Sequence, residues 1–304
     1  MRNKLLAKNT VASLIAQITT LICGFILPRL FLQHFGSEVN GLVNSIVQFL
    51  SVISFLELGV GAVVESSLYK PLAEKDNQQI SKVMVSANKF FQRLAQILFI
   101  YVLILMLVYP LIANQNLGFL YTATLIAAIS ISSFAQYYFG IANALLLNAD
   151  QRGYIQYNAQ TVTVVLNTAV CAVMISMNGT IQMVKLATSL IYLARPLALH
   201  FYVKRHYQID WKIKYTEEPI KQKWNGVAQH IAAVVLDGTD TIVLTVFSTL
   251  SNVSIYSVYF LVIKGVKTLF LSMTNGIQAL IGELWAKQEL EKLKGFFAWV
   301  EWVI

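Results

Sequence analysis

The chain has 304 residues, 57% of them hydrophobic and only 12% charged, with a formal net charge of +8. A soluble domain carries about 25% charged residues, so the composition speaks against a soluble enzyme. It also speaks against a nucleic-acid binder, since basic proteins of that kind do not bury most of their length in apolar runs. Cys23 and Cys171 both lie inside apolar stretches, which argues against a disulfide framework or a metal cluster.

Apolar stretches of about 20 residues can cross a hydrocarbon core of about 30 Å as helices, and here they predict an all-α, polytopic membrane helix bundle. In chain order the predicted spans cover roughly 10–32, 42–64, 92–113, 118–141, 158–177, 182–203, 227–249 and 254–281. The first is too long for a cleavable signal peptide and has no clear small-residue cleavage site. A ninth apolar stretch begins near Gly295 and reaches Ile304. It is too short to cross a bilayer as a helix. Either the chain ends inside a span or 296–304 lies at the interface, and the ending has the look of a C-terminally truncated helix.

Basic residues set the expected orientation. Arg2, Lys4 and Lys8 precede span one, and Lys70, Lys75, Lys82, Lys89 and Arg93 lie between spans two and three. Arg152 lies between four and five, six lysines and arginines from Lys204 to Lys223 follow span six, and Lys287, Lys292 and Lys294 follow span eight. The alternate loops 33–41, 114–117, 178–181 and 250–253 hold no Lys or Arg. The N-terminus is therefore expected in the cytoplasm, in a plasma or inner cell membrane, with short outward loops. The inward segments account for the whole net charge, since the remaining five bases are matched by five acids. Trp211, Tyr215 and Trp224, set among lysines after span six, read as an interfacial segment on anionic membrane lipids.

A shift of 216 residues pairs the first two spans with spans seven and eight. Asn9, Val11, Ala12, Ile15 and Ala16 fall on Asn225, Val227, Ala228, Ile231 and Ala232, and the turn 35–41 falls on 251–257. An even offset of six spans keeps the orientation, which is the parallel kind of repeat. The expected organisation is a six-span lobe over 1–208, a cytoplasmic linker over 209–224, and the first two to three helices of a second lobe over 225–304. Such a chain lacks about half of its second lobe.

Phe35-Gly36-Ser37-Glu38-Val39-Asn40-Gly41-Leu42 after span one resembles Wzx-type polysaccharide flippases, as does Leu56-Glu57-Leu58-Gly59-Val60-Gly61 late in span two. So do Asp240-Thr241-Ile242-Val243-Leu244 and Ser254-Ile255-Tyr256-Ser257. These proteins belong to the multidrug/oligosaccharidyl-lipid/polysaccharide exporter superfamily. The resemblance covers essentially the whole chain, and its members usually have twelve or more spans. It implies a transporter that flips a polyprenyl-pyrophosphate-linked oligosaccharide from the cytoplasmic to the outer leaflet during cell-surface polysaccharide biosynthesis. The substrate path would run between two lobes that alternate in access.

Ionisable groups at span depth cost a few kcal/mol and usually face a cavity or a partner. Four bases, Arg29, Arg195, Lys264 and Lys267, are candidates for a cationic cavity that binds a pyrophosphate headgroup. Glu57, Asp237 and Asp240 are candidates for a proton or sodium site, or a gate. Asp237 and Asp240 share a helical face, as do Lys264 and Lys267, and counting from the turn near residue 251 places the two pairs at similar depth. Mutual neutralisation of these four is the alternative reading. His34, His200, His206 and His230 are scattered, and Asn143, Asn148, Asn158, Gln136, Gln156 and Gln160 either bind sugar hydroxyls or link helices.

No catalytic residue, resident metal or cofactor is expected, because no Walker A, Rossmann, HExxH or GxSxG pattern occurs. The competing readings are a cation-coupled multidrug antiporter of the same fold, a membrane polymerase or ligase, and a truncated, non-functional remnant. An antiporter for cations favours a cavity dominated by acids and aromatics, and a polymerase favours a long outward loop.

Overall fold

The structure, a computed structural model, describes residues 2–113, 117–220, 238–273 and 277–303. The described chain is helical, with no strand among the described residues. Its elements are α1 (Arg2–Ser51), α2 (Ser54–Glu74), α3 (Asn77–Ile112), α4 (Phe119–Ala135), a π turn (Gln136–Gly140), α5 (Ile141–Ala149), α6 (Tyr154–Ser176) and α7 (Ile181–His206). They are followed by α8 (Gly238–Phe247), α9 (Leu250–Met273), α10 (Ile277–Ala286) and α11 (Leu290–Val303).

Five described segments are long and apolar enough to cross a membrane: Leu5–Ser51, Asn77–Ile112, Phe119–Ala149, Tyr154–Ser176 and Ile181–His206. Only part of the predicted span 227–249 lies in the described residues, as the shorter apolar helix α8. The bundle is a membrane bundle because its helices are apolar on both sides. On α3, Leu94, Leu98, Val102, Leu105 and Tyr109 are buried, while Phe99, Ile100, Leu103, Ile104 and Leu107 are exposed. A soluble helix would carry polar residues on that second face.

Four boundaries differ from the expected ones, the first being that the span expected over 42–64 divides at a turn over 52–53 between α1 and α2. The predicted outward loop 33–41 collapses to a single break in α1 at Gly36, whose φ of +80° is open to glycine and strained for other residues. Helix therefore resumes at once, giving α1 two arms, 2–35 and 37–51. The fourth span runs on past 141 through the π turn to Ala149. The turn before span eight sits at 248–249, not 250–253.

The arms of α1 pack along α9 and α6. Against α9 and α8 the contact is a seam of small and polar residues. Ser37 and Ser251 share a hydrogen bond of 3.1 Å, Asn40 Nδ2 donates to Ser254 Oγ at 2.7 Å, and Asn44 Nδ2 donates to Ser257 Oγ at 2.9 Å. Ser45 and Thr245 are bonded at 2.7 Å, and Gln17 Nε2 donates to Thr268 Oγ1 at 2.7 Å. Gly24 meets Leu261 and Gly265 meets Leu21. Membrane helices associate through such small residues and interhelical hydrogen bonds, because lipid gives no hydrophobic drive between them.

At the end of the bundle that carries the basic segments, Asn9 clamps the turn between α5 and α6. Its Nδ2 donates to Gln151 O at 2.8 Å, and its Oδ1 accepts from Tyr154 N at 2.9 Å. Glu65, Asn148 and Gln156 form a chain there, with Asn148 Nδ2 donating to Glu65 at 3.1 Å and Gln156 Nε2 donating to Asn148 Oδ1 at 2.7 Å.

Candidate functional site

Three stretches of helix face one cavity of about 460 Å³. The second arm of α1 contributes Val47, Leu50 and Ser51. Helix α4 and the π turn contribute Ile129, Ser132, Ser133, Gln136 and Tyr137, and α7 contributes Lys185, Thr188, Ser189, Tyr192 and Arg195. On each stretch the lining positions recur at intervals of three and four, so they share a helical face. The α7 face runs about 15 Å along its axis from Lys185 to Arg195. Pro196 beside Arg195 does not break α7, which continues to His206.

The cavity's chemistry is cationic and hydroxyl-rich. Lys185 and Arg195 line it, with no carboxylate among the described lining residues. Lys185 Nζ lies 4.2 Å from the ring centroid of Phe31, a buried residue of the first arm of α1. A ring face holds an ammonium without neutralising it. Several hydroxyl protons are spent on backbone: Ser51 Oγ donates to Gln48 O at 2.7 Å, Thr188 Oγ1 to Val184 O at 3.0 Å, and Ser189 Oγ to Ala128 O at 2.5 Å. Ser51 Oγ already accepts from Gln48 Nε2 at 3.0 Å, and each of the three oxygens keeps a lone pair that can accept. A ligand therefore meets positive charge for an anion and acceptors for its own hydroxyl groups.

Of the charged residues singled out from sequence, Arg195 lines this cavity, and Arg29, Lys264, Lys267 and Asp240 do not. Arg29 lines a separate apolar cleft of about 230 Å³ with Phe25, Pro28, Leu32, Val258 and Leu261. Lys264 and Lys267 are exposed on α9, with Lys264 Nζ 5.9 Å from the Phe260 ring centroid. Glu57 lies on α2, but its side chain is outside the described residues, and Asp237 lies outside them altogether. Asp240 is exposed and accepts a hydrogen bond from Tyr256 at 2.6 Å.

That last contact bears on the alternative reading, mutual neutralisation, for Asp240 alone. With the turn at 248–249, the residue level with Asp240 on α9 is Tyr256. Lys264 lies eight residues, or about 12 Å, further along the helix.

Lys185 is the residue the sequence reading passed over. The stripe of polar positions at 185, 188, 189, 192 and 195 in an apolar helix signals an inward polar face. Gln136 lines the cavity, whereas Asn148, Gln156 and Gln160 bond to neighbouring side chains, Gln160 reaching Thr20 of α1 at 3.4 Å. His200 and His206 pack on aromatic rings.

Over 96% of its length the chain superposes on a MATE multidrug transporter, DinF-BH, solved in a complex, with TM-score 0.77 and 15% identity, covering 68% of that chain. Over 98% of its length it superposes on a MATE protein in complex with Br-NRF, with TM-score 0.63 and 14% identity, covering 70% of that chain. A third solved chain is matched at TM-score 0.74 and 14% identity, over 93% of this chain and 66% of the other. The chain thus spans about two thirds of their length. No protein-family model and no curated protein matches the sequence. A likeness at this identity speaks to architecture, and the fold of this chain is that of the MATE multidrug transporters.

Proposed function

We propose that the chain carries the substrate path of a multi-pass membrane transporter, and that its cargo is an amphiphile with an anionic, hydroxyl-bearing headgroup such as a polyprenyl-pyrophosphate-linked glycan. The observation that carries this reading is the 460 Å³ cavity with Lys185 and Arg195 and no described carboxylate in its lining. An anion taken from water into a low-dielectric bundle needs such fixed positive charge, and Arg195 offers a planar fork for phosphate oxygens. The cavity is lined by residues 47–195, all within the first lobe and not between the two lobes. The cargo would leave its tail in the bilayer while the lobes rock about the seam between α1 and α9.

The lobe division at 1–208, 209–224 and 225–304 belongs to the same proposal. Its support is the spacing of contacts across the seam. Ser37–Ser251 and Asn40–Ser254 are 214 residues apart and Asn44–Ser257 are 213 apart, close to the repeat shift of 216. Near-equivalent residues touch only where they lie beside the axis that relates them.

A second reading, a cation-coupled multidrug antiporter, is favoured by a different observation: the solved neighbours are MATE proteins, one of them a multidrug transporter. In that reading Asp240 and Glu57 are candidates for the coupling proton or sodium, and the exposed bases Lys264, Lys267 and Arg29 contact lipid headgroups or solvent.

The two readings differ in a reconstituted assay. Purified protein in liposomes that contain a fluorescent polyprenyl-pyrophosphate sugar is expected to make the inner-leaflet label accessible to an impermeant quencher. Arg195→Gln and Lys185→Gln should each slow this by about tenfold or more, the loss of a charge-assisted hydrogen bond. Proton-driven efflux of a cationic dye, unchanged by both substitutions, would establish the antiporter instead.

A further inference from the structure

A second cavity, of about 260 Å³, lies at the basic end of the bundle between α3, the π turn, α5, α7 and the segment after α7. It shares no lining residue with the first cavity. The π turn instead divides between them, giving Gln136 and Tyr137 to one and Tyr138 and Phe139 to the other. π turns in helices concentrate at functional sites.

Three chemistries meet in this cavity. Tyr138 and Trp211 offer aromatic surface, and Trp211 is 41% exposed at the mouth. Lys204 brings positive charge, and His200, one turn away on the same face of α7, brings a ring N–H donor. Arg205 and His206 follow in the same last turn. Gln92 and Asn143 add amides from α3 and α5.

Asn143 is the buried amide of the lining. It is only 4% exposed, and its Nδ2 donates to Phe139 O at 2.8 Å. A carbonyl oxygen must face the amide nitrogen, so the orientation of this amide is fixed by chemistry. Its Oδ1 is then a buried acceptor with no hydrogen-bond partner among the described residues. Buried acceptors left unmet are costly and uncommon. A hydroxyl donor on a bound molecule satisfies it, and the ionised oxygen of a phosphodiester, having no proton to give, does not.

We propose that this cavity binds the headgroup of a membrane lipid that carries both a phosphate and free hydroxyls, with the phosphate on Lys204 and His200 and a hydroxyl donating to Asn143 Oδ1. The volume is below the roughly 300 Å³ at which drug-sized pockets begin, so it fits a headgroup. The site lies at the end of a membrane-length helix beside an exposed tryptophan, the level at which lipid phosphates and interfacial aromatic residues meet. This inference is independent of the transport reading, and it survives if the cargo of the larger cavity is a cationic drug.

The test is lipid binding by the full chain in detergent, read by native mass spectrometry. The probes are phosphatidylglycerol, which has a phosphodiester and hydroxyls, phosphatidylethanol, which has the phosphodiester alone, and phosphatidylcholine. Phosphatidylglycerol is expected to bind about tenfold tighter than phosphatidylcholine. Lys204→Gln should remove most of that preference, while Lys70→Gln, which deletes an exposed charge elsewhere, should keep it. Asn143→Leu should abolish the preference for phosphatidylglycerol over phosphatidylethanol, with an unchanged melting temperature as the check on folding. Competition by free glycerol phosphate supports the site and assigns it to a soluble ligand, whereas binding only of the acylated form supports it and assigns it to the bilayer. Equal binding of all three lipids, or equal losses in Lys204→Gln and Lys70→Gln, overturns the proposal.

Discussion

Asp150 shows how a single carboxylate at the basic end responds to its setting. It lies just past α5, where Tyr207 Oη donates to it at 2.5 Å and Arg152 Nε approaches to 2.9 Å. Burial nevertheless pushes its carboxyl above the ordinary value of 3.8, and the nearby Glu283 adds to that rise, against the pull of Tyr207 and Arg152. A raised folded value means that the folded state holds the proton more tightly than the unfolded chain does. The resulting stability is fully present below 3.8 and is lost as pH rises through the raised value. Asp150→Asn keeps an acceptor for Tyr207 and removes the titration. Its melting temperature should therefore fall less than that of the parent from about pH 4 to neutrality. Equal slopes in a thermal-shift series would contradict this assignment.

Single residues also mark the limit of sequence reading. Arg195 was legible as a cavity residue because a base deep in an apolar run has few alternatives. Lys185 was not, since a base near a span end also reads as interfacial. What placed it was the company it keeps on one face of α7 and the Phe31 ring brought from α1, a contact 154 positions away in the chain. Asp240 was legible as a polar group in α8, but its partner Tyr256 depended on a turn position that apolar runs do not locate.

Among elements, α1 carries the most consequence. Apolar periodicity gave two spans with a loop between them, and the structure has one break at Gly36. The difference is physical. A single residue in the left-handed region reverses two helices as effectively as a nine-residue loop, and it leaves no compositional trace beyond one glycine. The seam that follows rests on close approach. A Cβ on Gly41 would overlap the Leu250 carbonyl, and backbone cannot step aside as a flexible side chain can. Gly41→Val should cost roughly 1–3 kcal/mol as overpacking, whereas Gly118→Val, with nothing within 4 Å of its Cβ, should be near neutral. Comparison of melting temperatures in one detergent checks this, and equal effects at the two sites would count against the seam. The five hydrogen bonds across the seam matter less, since each is worth only about 0.6 kcal/mol in a membrane protein.

At the scale of the molecule, composition and basic-residue spacing were enough to read a polytopic helical membrane protein, because a run of apolar residues long enough to cross has one stable form in lipid. The arrangement of the helices was legible only as a family resemblance, and the solved neighbours agree with it at the level of the MATE fold. The cargo was not legible in this way, because a fold can host many substrates and only the cavity lining separates them. The anionic cargo proposed from the lining differs from the drug named for one solved neighbour, and that difference is the useful one to test. The most direct measurement is equilibrium binding to the purified chain of a polyprenyl-pyrophosphate sugar and of a cationic dye, each repeated with Lys185→Gln and Arg195→Gln. The account predicts that the anionic lipid binds and is weakened about tenfold or more by either substitution, with little change for the dye. Tight binding of the dye, with an anionic lipid that neither binds nor responds to the two substitutions, would contradict it.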